Sequence, residues 1–283
     1  RMTKADAASA QAWAVKAING GIIASNAGNA VIAHTDGPGG INKNGHGEVF
    51  DVDSQMRMSE TFGAHLAGDP RLSVLFAPGS SNAAGEIIGM PNGRTSDDYE
   101  GADGLTYEGI EDRHIYAQTH PALRKKDVPM VLLTTAEVHF LIGEAIIRGW
   151  VSGDAKTYYD AGVTAAMTML ADFYPDSTPI AQADIDAFLA GPGAYDSSKG
   201  WEMLMNEYWK ATFLNEYEAY ANWRRTGYPT LSPTQHPNSV SGNQIMRRMI
   251  YPGGESATNA ENYAAAVARQ GADTWMTRMW WDK

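Results

Sequence analysis

The sequence contains no cysteine among its 283 residues. This excludes disulfide bonds, thiolate zinc sites and a cysteine nucleophile, and it leaves the cellular compartment undecided. The sequence also lacks an apolar run long enough to cross a bilayer, and it does not open with the basic and apolar segments of a signal peptide. No phosphate-cradling glycine loop, nucleophile elbow or zinc-binding helix motif occurs. We therefore expect no catalytic residues, no cofactor and no metal.

Positive charge is also scarce. The 22 Lys and Arg are outnumbered by 33 Asp and Glu, which gives a formal net charge of −11. Such a chain repels a phosphate backbone, so we expect no nucleic-acid partner. Aromatic residues, in contrast, make up 10% of the chain and include eight tryptophans. This content fits either helix packing with large side chains or a stacking surface for sugars or bases, and composition does not separate the two.

The stretch 199–229 is rich in aromatic residues and predicts a central helix. Its large apolar residues recur at the helical spacings of three and four: Trp201, Leu204, Met205, Tyr208, Trp209, Phe213, Leu214, Tyr217, Tyr220 and Trp223. These positions cover most of the helix circumference, so we expect packing on several sides. Gly200 and Gly227 mark its ends, and Pro229 prevents continuation. Arg224 and Arg225 fall in the last turn, where the helix dipole favours cations.

Two further helices are predicted at 129–149 and 154–173, with Asp154 as the N-cap of the second. The pair fits the tetratricopeptide template through His139, Ile142, Gly143, Ile146, Ala155 and Tyr159. Small residues that permit close helix contact are Gly143, Ala155 and Gly162. We interpret 129–173 as a tetratricopeptide-like helix pair. One such pair cannot bury its own apolar face, so it needs neighbouring helices.

The rest of the chain is predicted to consist of shorter helices joined by loops. Helical patterns cover 3–19, 55–66, 182–190 and 255–269, the last with Asn259 as a cap. Loops are predicted at 20–50, with at most one short strand near Val31, and at 228–243. Trp275, Trp280 and Trp281 are expected to dock the C-terminus into the body. The predicted fold class is mainly α, with tetratricopeptide-like helix pairs, long irregular loops and little β.

The longest irregular segment is predicted at 77–122, where Gly, Pro, Asn and Asp recur throughout. Loops of this length in compact domains are usually functional or disordered. Aromatic and acidic residues suit sugar binding, because rings stack on apolar sugar faces and carboxylates accept hydrogen bonds from hydroxyls. The candidate ligand-binding residues are Tyr99, Tyr107, His114, Tyr116, Asp97 and Asp98. The alternative is that the tyrosines attach the loop to the body of the protein.

Metal binding and acid–base catalysis have weaker support. His34 and His46 lie in a glycine-rich loop, but no carboxylate spacing supports a metal site there. The acids at 97, 98, 100 and 103 do not follow the spacing of a calcium loop. Glu137 and Glu144 share a helix face, but two helical turns separate their backbones by ~10.5 Å, which is too wide for a retaining glycosidase. Pairing with arginines of a packed helix is the alternative for both acids.

Several segments resemble the SusD/RagB family of nutrient-uptake lipoproteins of Bacteroidetes. The run TTAEVHFLIGEAIIRGWVSGDAKTYYDAGVTAAM resembles the tetratricopeptide segment of that family, and NEYWKATFLNEYEAYANWRRTGYPTL resembles its central helix. MSETFGAHLAGDPRL resembles the middle of the family, and RRMIYPGGESATNAENYAAAVAR followed by DTWMTRMWWDK resembles its end. The resemblance covers most of 55–283 in the same order.

The resemblance implies a mostly helical fold with a ligand site in its loop-rich region. It implies a lipid-anchored protein on the outer face of the outer membrane. Such proteins cover a TonB-dependent, SusC-like barrel transporter and bind glycans, or sometimes peptides, without cleaving them. This sequence lacks the lipid-anchor cysteine and the early repeats, so we expect 1–283 to be a single SusD-like domain that lacks its N-terminal part. The family has no fixed ligand-contact motif, so no binding residue follows from the resemblance.

Three functions are therefore compared. The leading hypothesis is a non-catalytic oligosaccharide-binding subunit of a nutrient importer. The second is a helical glycoside hydrolase, which would need two carboxylates that converge in a cleft, one of them with a raised pKa. The third is a helical-repeat scaffold that binds only protein.

Overall fold

The computed structural model describes residues 1–37, 39, 41–52 and 56–282. Within them it has eleven helices: α1 Ala7–Gly20, α2 Gly45–Val52, α3 Glu60–His65, α4 Leu72–Leu75, α5 Thr135–Ile147, α6 Ala155–Phe173, α7 Gln182–Ala190, α8 Gly200–Ala211, α9 Glu216–Thr226, α10 Glu255–Thr258 and α11 Ala260–Gln270. The six strands are short: β1 Ala30–Ile32, β2 Phe76–Ala77, β3 Tyr99–Glu100, β4 Thr106–Tyr107, β5 Gln118–Thr119 and β6 Met130–Leu133. They pair as three antiparallel two-stranded ladders, β1–β6, β2–β5 and β3–β4. The predicted mainly-α fold class is confirmed.

The predicted helix at 129–149 begins later than expected, because its first residues form a strand. Met130–Leu133 pairs with β1, with Val131 opposite Val31. A capping box then starts α5: the Thr134 side chain accepts a hydrogen bond from the Glu137 N–H at 3.1 Å, and Glu137 accepts one from the Thr134 N–H at 2.9 Å. Because this reciprocal pair satisfies donors at the helix end, it places the boundary at Thr135.

The helix pair α5–α6 is present, and glycines allow its close packing. A Cβ atom on Gly162 would lie 2.4 Å from the Phe140 ring, and one on Gly153 would lie 2.8 Å from Ile146. The earlier of the two glycines contacts the later residue of α5, and the later glycine contacts the earlier residue, so α5 and α6 are antiparallel. Helix α8 packs across the pair, where a Cβ on Gly143 would lie 2.9 Å from Leu204. Asp154 caps α6 as predicted, accepting from the Lys156 N–H.

The prediction of one continuous helix at 199–229 is wrong. Helix α8 ends at Ala211 and α9 begins at Glu216, and between them Leu214 has a left-handed φ of +64°. The chain has two hydrophobic cores, a first within α5, α6, α7 and α8 and a second around α3, α4 and β2. The break places Phe213 against the second core, where its ring stacks on Phe62 at 5.3 Å and meets Phe76 edge-on at 5.2 Å. Aromatic burial in that core therefore outweighs the helical periodicity of the sequence.

The expected packing of the central stretch on several sides also fails for its second half. Tyr217 on α9 is 83% exposed, and the buried residues of α9 are Ala221, Asn222 and Arg225. Helix α8, in contrast, buries Leu204, Met205 and Tyr208, among others. Gly227 ends α9 in the left-handed region at φ +83°, as predicted.

A buried ion cluster joins the two cores. The guanidinium of Arg71 donates to Asp69 at 2.9 and 2.5 Å and to Glu207 of α8 at 2.6 Å. The Lys210 ammonium donates to Glu207 at 2.5 Å and to Asp69 at 3.3 Å. Two cations face two carboxylates, so the cluster is neutral, which makes its burial tolerable. It attaches the turn at 69–71 to α8.

One loop prediction and two other helix predictions differ from the structure in part. The segment 20–50 contains the predicted strand at Val31 but also α2, which was expected to be loop. The helix expected at 55–66 begins at Glu60, capped by Ser59, and residue 55 of that prediction lies outside the described residues. The helix expected at 255–269 is divided at Asn259, which follows α10 and precedes α11 but makes no side-chain cap bond. The predicted short helix at 182–190 is confirmed as α7.

The C-terminus is docked by a buried carboxylate, and of the three tryptophans predicted to dock it Trp275 and Trp281 are partly buried. Trp280 is 57% exposed, so its predicted burial is wrong. Asp282 is fully buried and accepts hydrogen bonds from Arg247 at 2.7 and 3.0 Å and from Arg278 at 3.2 Å. The ring of Trp281 lies under the guanidinium of Arg224, at 4.6 Å.

Candidate functional site

A groove of about 590 Å³ lies where the irregular segments meet α8. Its walls are Ser59, Thr61, Asn92, Trp209 and parts of the segment 231–246, namely 231–234, His236, 238–241 and 244–246. An apolar cavity of about 420 Å³ adjoins it and shares Ser59, Trp209, Leu231 and Ile245 with it. Both volumes fall in the range of small-molecule sites, about 300–1,000 Å³.

One wall of the groove is held by a short parallel bridge between the chain near Ser59 and the chain near Met90. The Glu60 N–H donates to the Met90 carbonyl at 2.8 Å, and the Met90 N–H donates to the Met58 carbonyl at 2.7 Å. Gly89 permits this approach, because a Cβ there would lie 2.5 Å from the Glu60 Cα. The bridge places Asn92 on the same wall as Ser59.

Trp209 forms the floor shared by the groove and the apolar cavity. Helix α8 presents it, and its ring meets Phe62 edge-on at 4.9 Å and His65 edge-on at 5.3 Å. The indole is only partly buried. A partly exposed ring that is fixed by edge contacts offers a preorganised apolar surface to a ligand.

The opposite wall, segment 231–246, is attached at two places. The Tyr220 hydroxyl of α9 donates to the Met246 carbonyl at 2.6 Å, and the Ala102 N–H donates to the Gln235 carbonyl at 3.3 Å. Close packing adds a third contact, because a Cβ on Gly93 would lie 2.7 Å from the Thr234 side chain. The wall is therefore fixed both to α9 and to the loop that carries β3 and β4.

Tyr99 and Tyr107, two of the predicted site residues, belong to a column of rings beside the groove. They face each other across β3–β4, with centroids 5.3 Å apart and planes at 18°. His236 lies 4.8 Å from Tyr99, and the Arg94 guanidinium lies 4.5 Å from the Tyr107 ring. The Tyr107 hydroxyl donates to Asp103 at 2.6 Å, and this bond raises the pKa of Tyr107 and lowers that of Asp103. Since neighbours cover the rings, these tyrosines attach the hairpin to segment 231–246.

Asp97 and Asp98 hold the same hairpin through backbone contacts. Asp98 accepts a hydrogen bond from the Gly109 N–H at 2.8 Å, and the Asp97 carbonyl accepts one from the Thr95 hydroxyl at 2.7 Å. Nowhere in the described part of the chain do three His, Asp or Glu side chains form a group that could hold a metal ion.

His114 and Tyr116 lie in a different environment from the ring column. His114 Nδ1 accepts a hydrogen bond from the Arg57 guanidinium at 2.8 Å, and Arg57 also donates to the Arg113 carbonyl at 2.9 Å. The Tyr116 N–H donates to the same carbonyl at 3.3 Å. The structure therefore brings Tyr99, Tyr107, Asp97 and Asp98 together on one hairpin, and it places His114 and Tyr116 on a separate turn.

The residues that line the groove were not predicted. The sequence pattern predicts helix packing for Trp209 and a surface loop for 228–243, and neither prediction includes a ligand contact. One signal was available: SPTQHPNSVSGNQ, at 232–244, is rich in hydroxyl and amide side chains and contains no Asp, Glu, Lys or Arg. Uncharged hydrogen-bonding groups of this kind are suited to polyhydroxylated ligands.

The two acids considered for catalysis lie away from the groove in the helical core. Glu144 is paired with Arg225 and Arg148, at 2.5 and 2.8 Å. Glu137 is 2% exposed, and burial raises its pKa to about 7. Glu144 does border a mainly apolar cavity of about 600 Å³ between α1 and α5. A carboxylate held by two arginines and a carboxyl that water barely reaches do not form the pair that glycoside hydrolysis uses.

The family comparison decides the identity. A SusD-like family model, described as starch-binding and associating with the outer membrane, matches residues 1–252. The chain belongs to this family. A comparison with curated proteins gives no match.

Solved structures agree with this assignment. The SusD-like chain is similar to a chitin-binding protein, with 30% identity and a TM-score of 0.84 over 100% of this chain and 61% of that one. It is also similar to a SusD homologue from Bacteroides vulgatus, with 25% identity and a TM-score of 0.76 over 100% and 59% of the two chains. A chitin-binding SusD homologue from Flavobacterium johnsoniae shares the fold, with 22% identity and a TM-score of 0.70 over 100% and 60%.

The SusD-like chain thus spans about three fifths of the length of these relatives. The family is associated with the outer membrane. None of the described helices has the length and apolar character needed to cross a membrane.

Proposed function

We propose that this SusD-like chain binds an oligosaccharide without cleaving it, as part of a nutrient-uptake complex at the cell surface. The groove beside Trp209 is the proposed ligand site. In this proposal the protein delivers its ligand to a TonB-dependent, SusC-like barrel in the outer membrane. The description of the family as starch-binding and the similarity to a chitin-binding protein at 30% identity support a glycan as the ligand.

The main support for the proposal is a set of polar side chains in the groove that are free to bond to a ligand. Among the described residues, six groove side chains form no hydrogen bond with protein: Thr61, Asn92, Ser232, Thr234, Asn238 and Gln244. Hydroxyls and amides both donate and accept, so they match the hydroxyl-rich edge of a sugar. The indole of Trp209 in the same groove supplies an apolar surface for a sugar face.

The predicted hairpin residues have an indirect part in this proposal. Tyr99 and Tyr107 hold His236 and segment 231–246 in place, and Asp97 and Asp98 hold the turn that carries those tyrosines. A ligand that contacts segment 231–246 then depends on the hairpin without stacking on its rings.

Calorimetry with malto- and chito-oligosaccharides tests the proposal on the full-length protein. We expect saturable binding, and we expect Asn238→Ala to weaken it about fivefold through loss of one hydrogen bond. Tyr99→Ala should weaken it to a similar degree, because segment 231–246 loses its support. Tyr217→Ala, which removes a tyrosine that is 83% exposed on α9, is the matched control and should bind as the wild type does.

A reducing-end assay on the same mixtures separates binding from hydrolysis. We expect no new reducing ends. Turnover that disappears on substitution of a single Asp or Glu would replace the binding function with the hydrolase function. Capture of a barrel partner by a protein that binds no oligosaccharide would instead identify a protein-only scaffold.

A further inference from the structure

The groove differs in charge from the rest of the molecule. The chain has a formal net charge of −11, yet none of the described side chains that line the groove is Asp, Glu, Lys or Arg. Its single titratable lining residue among those described is His236. The groove is therefore an uncharged surface on a strongly acidic protein.

The ring of His236 accepts a hydrogen bond from the turn that follows it. The Asn238 N–H donates to His236 Nδ1 at 3.1 Å. A ring nitrogen that accepts a hydrogen bond carries no proton, so the proton of this ring is on Nε2. The same ring packs against Tyr99 at 4.8 Å. Protonation of Nδ1 would break the bond that shapes segment 231–246.

We infer that the groove selects electrically neutral glycans and rejects charged glycans of the same length, whether anionic or cationic. This inference rests on the proposed function. A carboxylate or an ammonium that enters the groove loses water and finds no side chain of opposite charge, which costs free energy that hydroxyl contacts do not offset. The net charge of the protein adds a long-range repulsion for anions, which salt screens.

A matched series of chito-oligosaccharides tests the inference. The series contains the fully N-acetylated form, which is neutral, the deacetylated form, which is cationic below the pKa of its amines, and a form oxidised to carboxylates at C6. At physiological ionic strength we expect the affinity for each charged form to be lower than the affinity for the neutral form by a factor of about ten or more.

A charge placed in the groove should reverse part of this selectivity. Gln244→Glu adds a carboxylate beside the ligand and should raise the affinity for the cationic form while it lowers the affinity for the anionic form. Gln11→Glu makes the same change on the exposed side of α1, outside the groove, and controls for net charge. We expect Gln11→Glu to leave all three affinities at their wild-type values.

The outcomes separate this inference from the proposed function. Equal affinity for the neutral and charged forms, or tighter binding of a charged form, would overturn the inference and leave glycan binding in place. An equal response of Gln244→Glu and Gln11→Glu would overturn the assignment of selectivity to the groove. Absence of binding for the whole series, and for malto-oligosaccharides, would reject the proposed function together with the inference.

Discussion

Arg225 of α9 and Glu144 of α5 form a buried ion pair with two bonds, Nη1 to Oε1 at 2.5 Å and Nη2 to Oε2 at 2.8 Å. Both side chains are 4% exposed. Asn222 Oδ1 accepts two further bonds from the Arg225 guanidinium, at 2.7 and 3.2 Å. This pair joins the helix that supports segment 231–246 to the helix pair α5–α6. The helix dipole of α9 favours a cation in the last turn, but it does not explain why Arg225 is buried; the bonds to Glu144 do.

Removal of one partner of this pair should be costly. We expect Arg225→Met to lower the free energy of unfolding by about 3 kcal/mol, because Glu144 remains buried with one of its two arginines. Arg148 also bonds to Glu144, but its side chain is 30% exposed, so Arg148→Met should cost about 1 kcal/mol or less. Urea denaturation of both variants checks the order. Equal losses of unfolding free energy in the two variants would show that burial does not determine how much each arginine–Glu144 bond stabilises the fold.

Glu137 should make stability depend on pH. Burial raises its pKa from an ordinary 4.5 to about 7. The Tyr208 hydroxyl lies 2.7 Å from Glu218 and 3.2 Å from Glu137. A phenol has one hydrogen, so when it donates to Glu218, Glu137 bonds to the phenol oxygen only in its protonated form. Glu218 is the charged group beside Glu137; it pairs with Arg1 at 2.5 Å and is also influenced by the charge of Arg225.

The sign follows from the raised pKa. Below about pH 4.5 the acid is protonated in both the folded and the unfolded chain, and its contribution to stability is fully present. Between about pH 4.5 and pH 7 the unfolded chain releases this proton while the folded chain keeps it, so the free energy of unfolding falls. The total loss is about 3 kcal/mol, at 1.36 kcal/mol per pKa unit, and it is complete above about pH 7. Glu137→Gln should remove most of this loss. Glu261→Gln, on the exposed face of α11, is the control, and an equal slope of stability against pH in both variants would contradict the assignment.

Two glycines of the helix pair should respond differently to alanine. A Cβ on Gly162 would lie 2.4 Å from the ring of Phe140, which is fully buried, so we expect Gly162→Ala to cost about 1–3 kcal/mol by overpacking. Leu204 is also fully buried, but a Cβ on Gly143 would meet chiefly its terminal methyl groups, at 2.9 and 3.1 Å. Those methyl groups can turn away, and alanine gains about 1 kcal/mol in helix propensity, so Gly143→Ala should be nearly neutral. Thermal unfolding of the two variants tests this order.

The sequence predicted those parts of the fold that depend on local chemistry. Asp154 as the cap of α6, Gly227 as the end of α9 and Gly162 as a small residue between α5 and α6 all follow from spacing and residue type, and all are confirmed. Gly143, predicted for the same reason, instead packs against Leu204 of α8. The break at Leu214 could not be predicted in this way. It exists because Phe213 packs on Phe62 and Phe76, which lie far away in the sequence, and helical periodicity carries no information about such contacts.

The candidate site shows the same limit. Tyr99 and Tyr107 were selected as aromatic residues on a long loop, and that loop does border the groove. The sequence does not indicate their partner His236. The antiparallel β3–β4 hairpin and the hydrogen bond from the Ala102 N–H to the Gln235 carbonyl bring the two loops together, and neither feature produces a periodic pattern in the sequence. Trp209 has helical spacing, so its spacing matched core packing as well as a ligand surface.

The contact between the two loops gives a direct test of the groove. Gly93 has φ +75°, and a Cβ there would lie 2.7 Å from the Thr234 side chain. Gly104 has φ +76°, and nothing lies within 4 Å of its Cβ position. Both alanine variants carry the backbone strain of the left-handed region, about 1 kcal/mol. Only Gly93→Ala also displaces Thr234 and the wall that carries it.

We therefore expect Gly93→Ala to weaken oligosaccharide binding about tenfold, because Ser232, Thr234 and Asn238 lose their common geometry and a small misplacement of contact groups costs affinity. Gly104→Ala should bind as the wild type does while losing a similar amount of stability from strain alone. Calorimetry and urea denaturation on the same two proteins separate the effects. The two variants share the backbone strain and differ only in the contact with Thr234. Equal affinities would therefore show that the ligand does not contact both loops, and the groove would be rejected as the binding site.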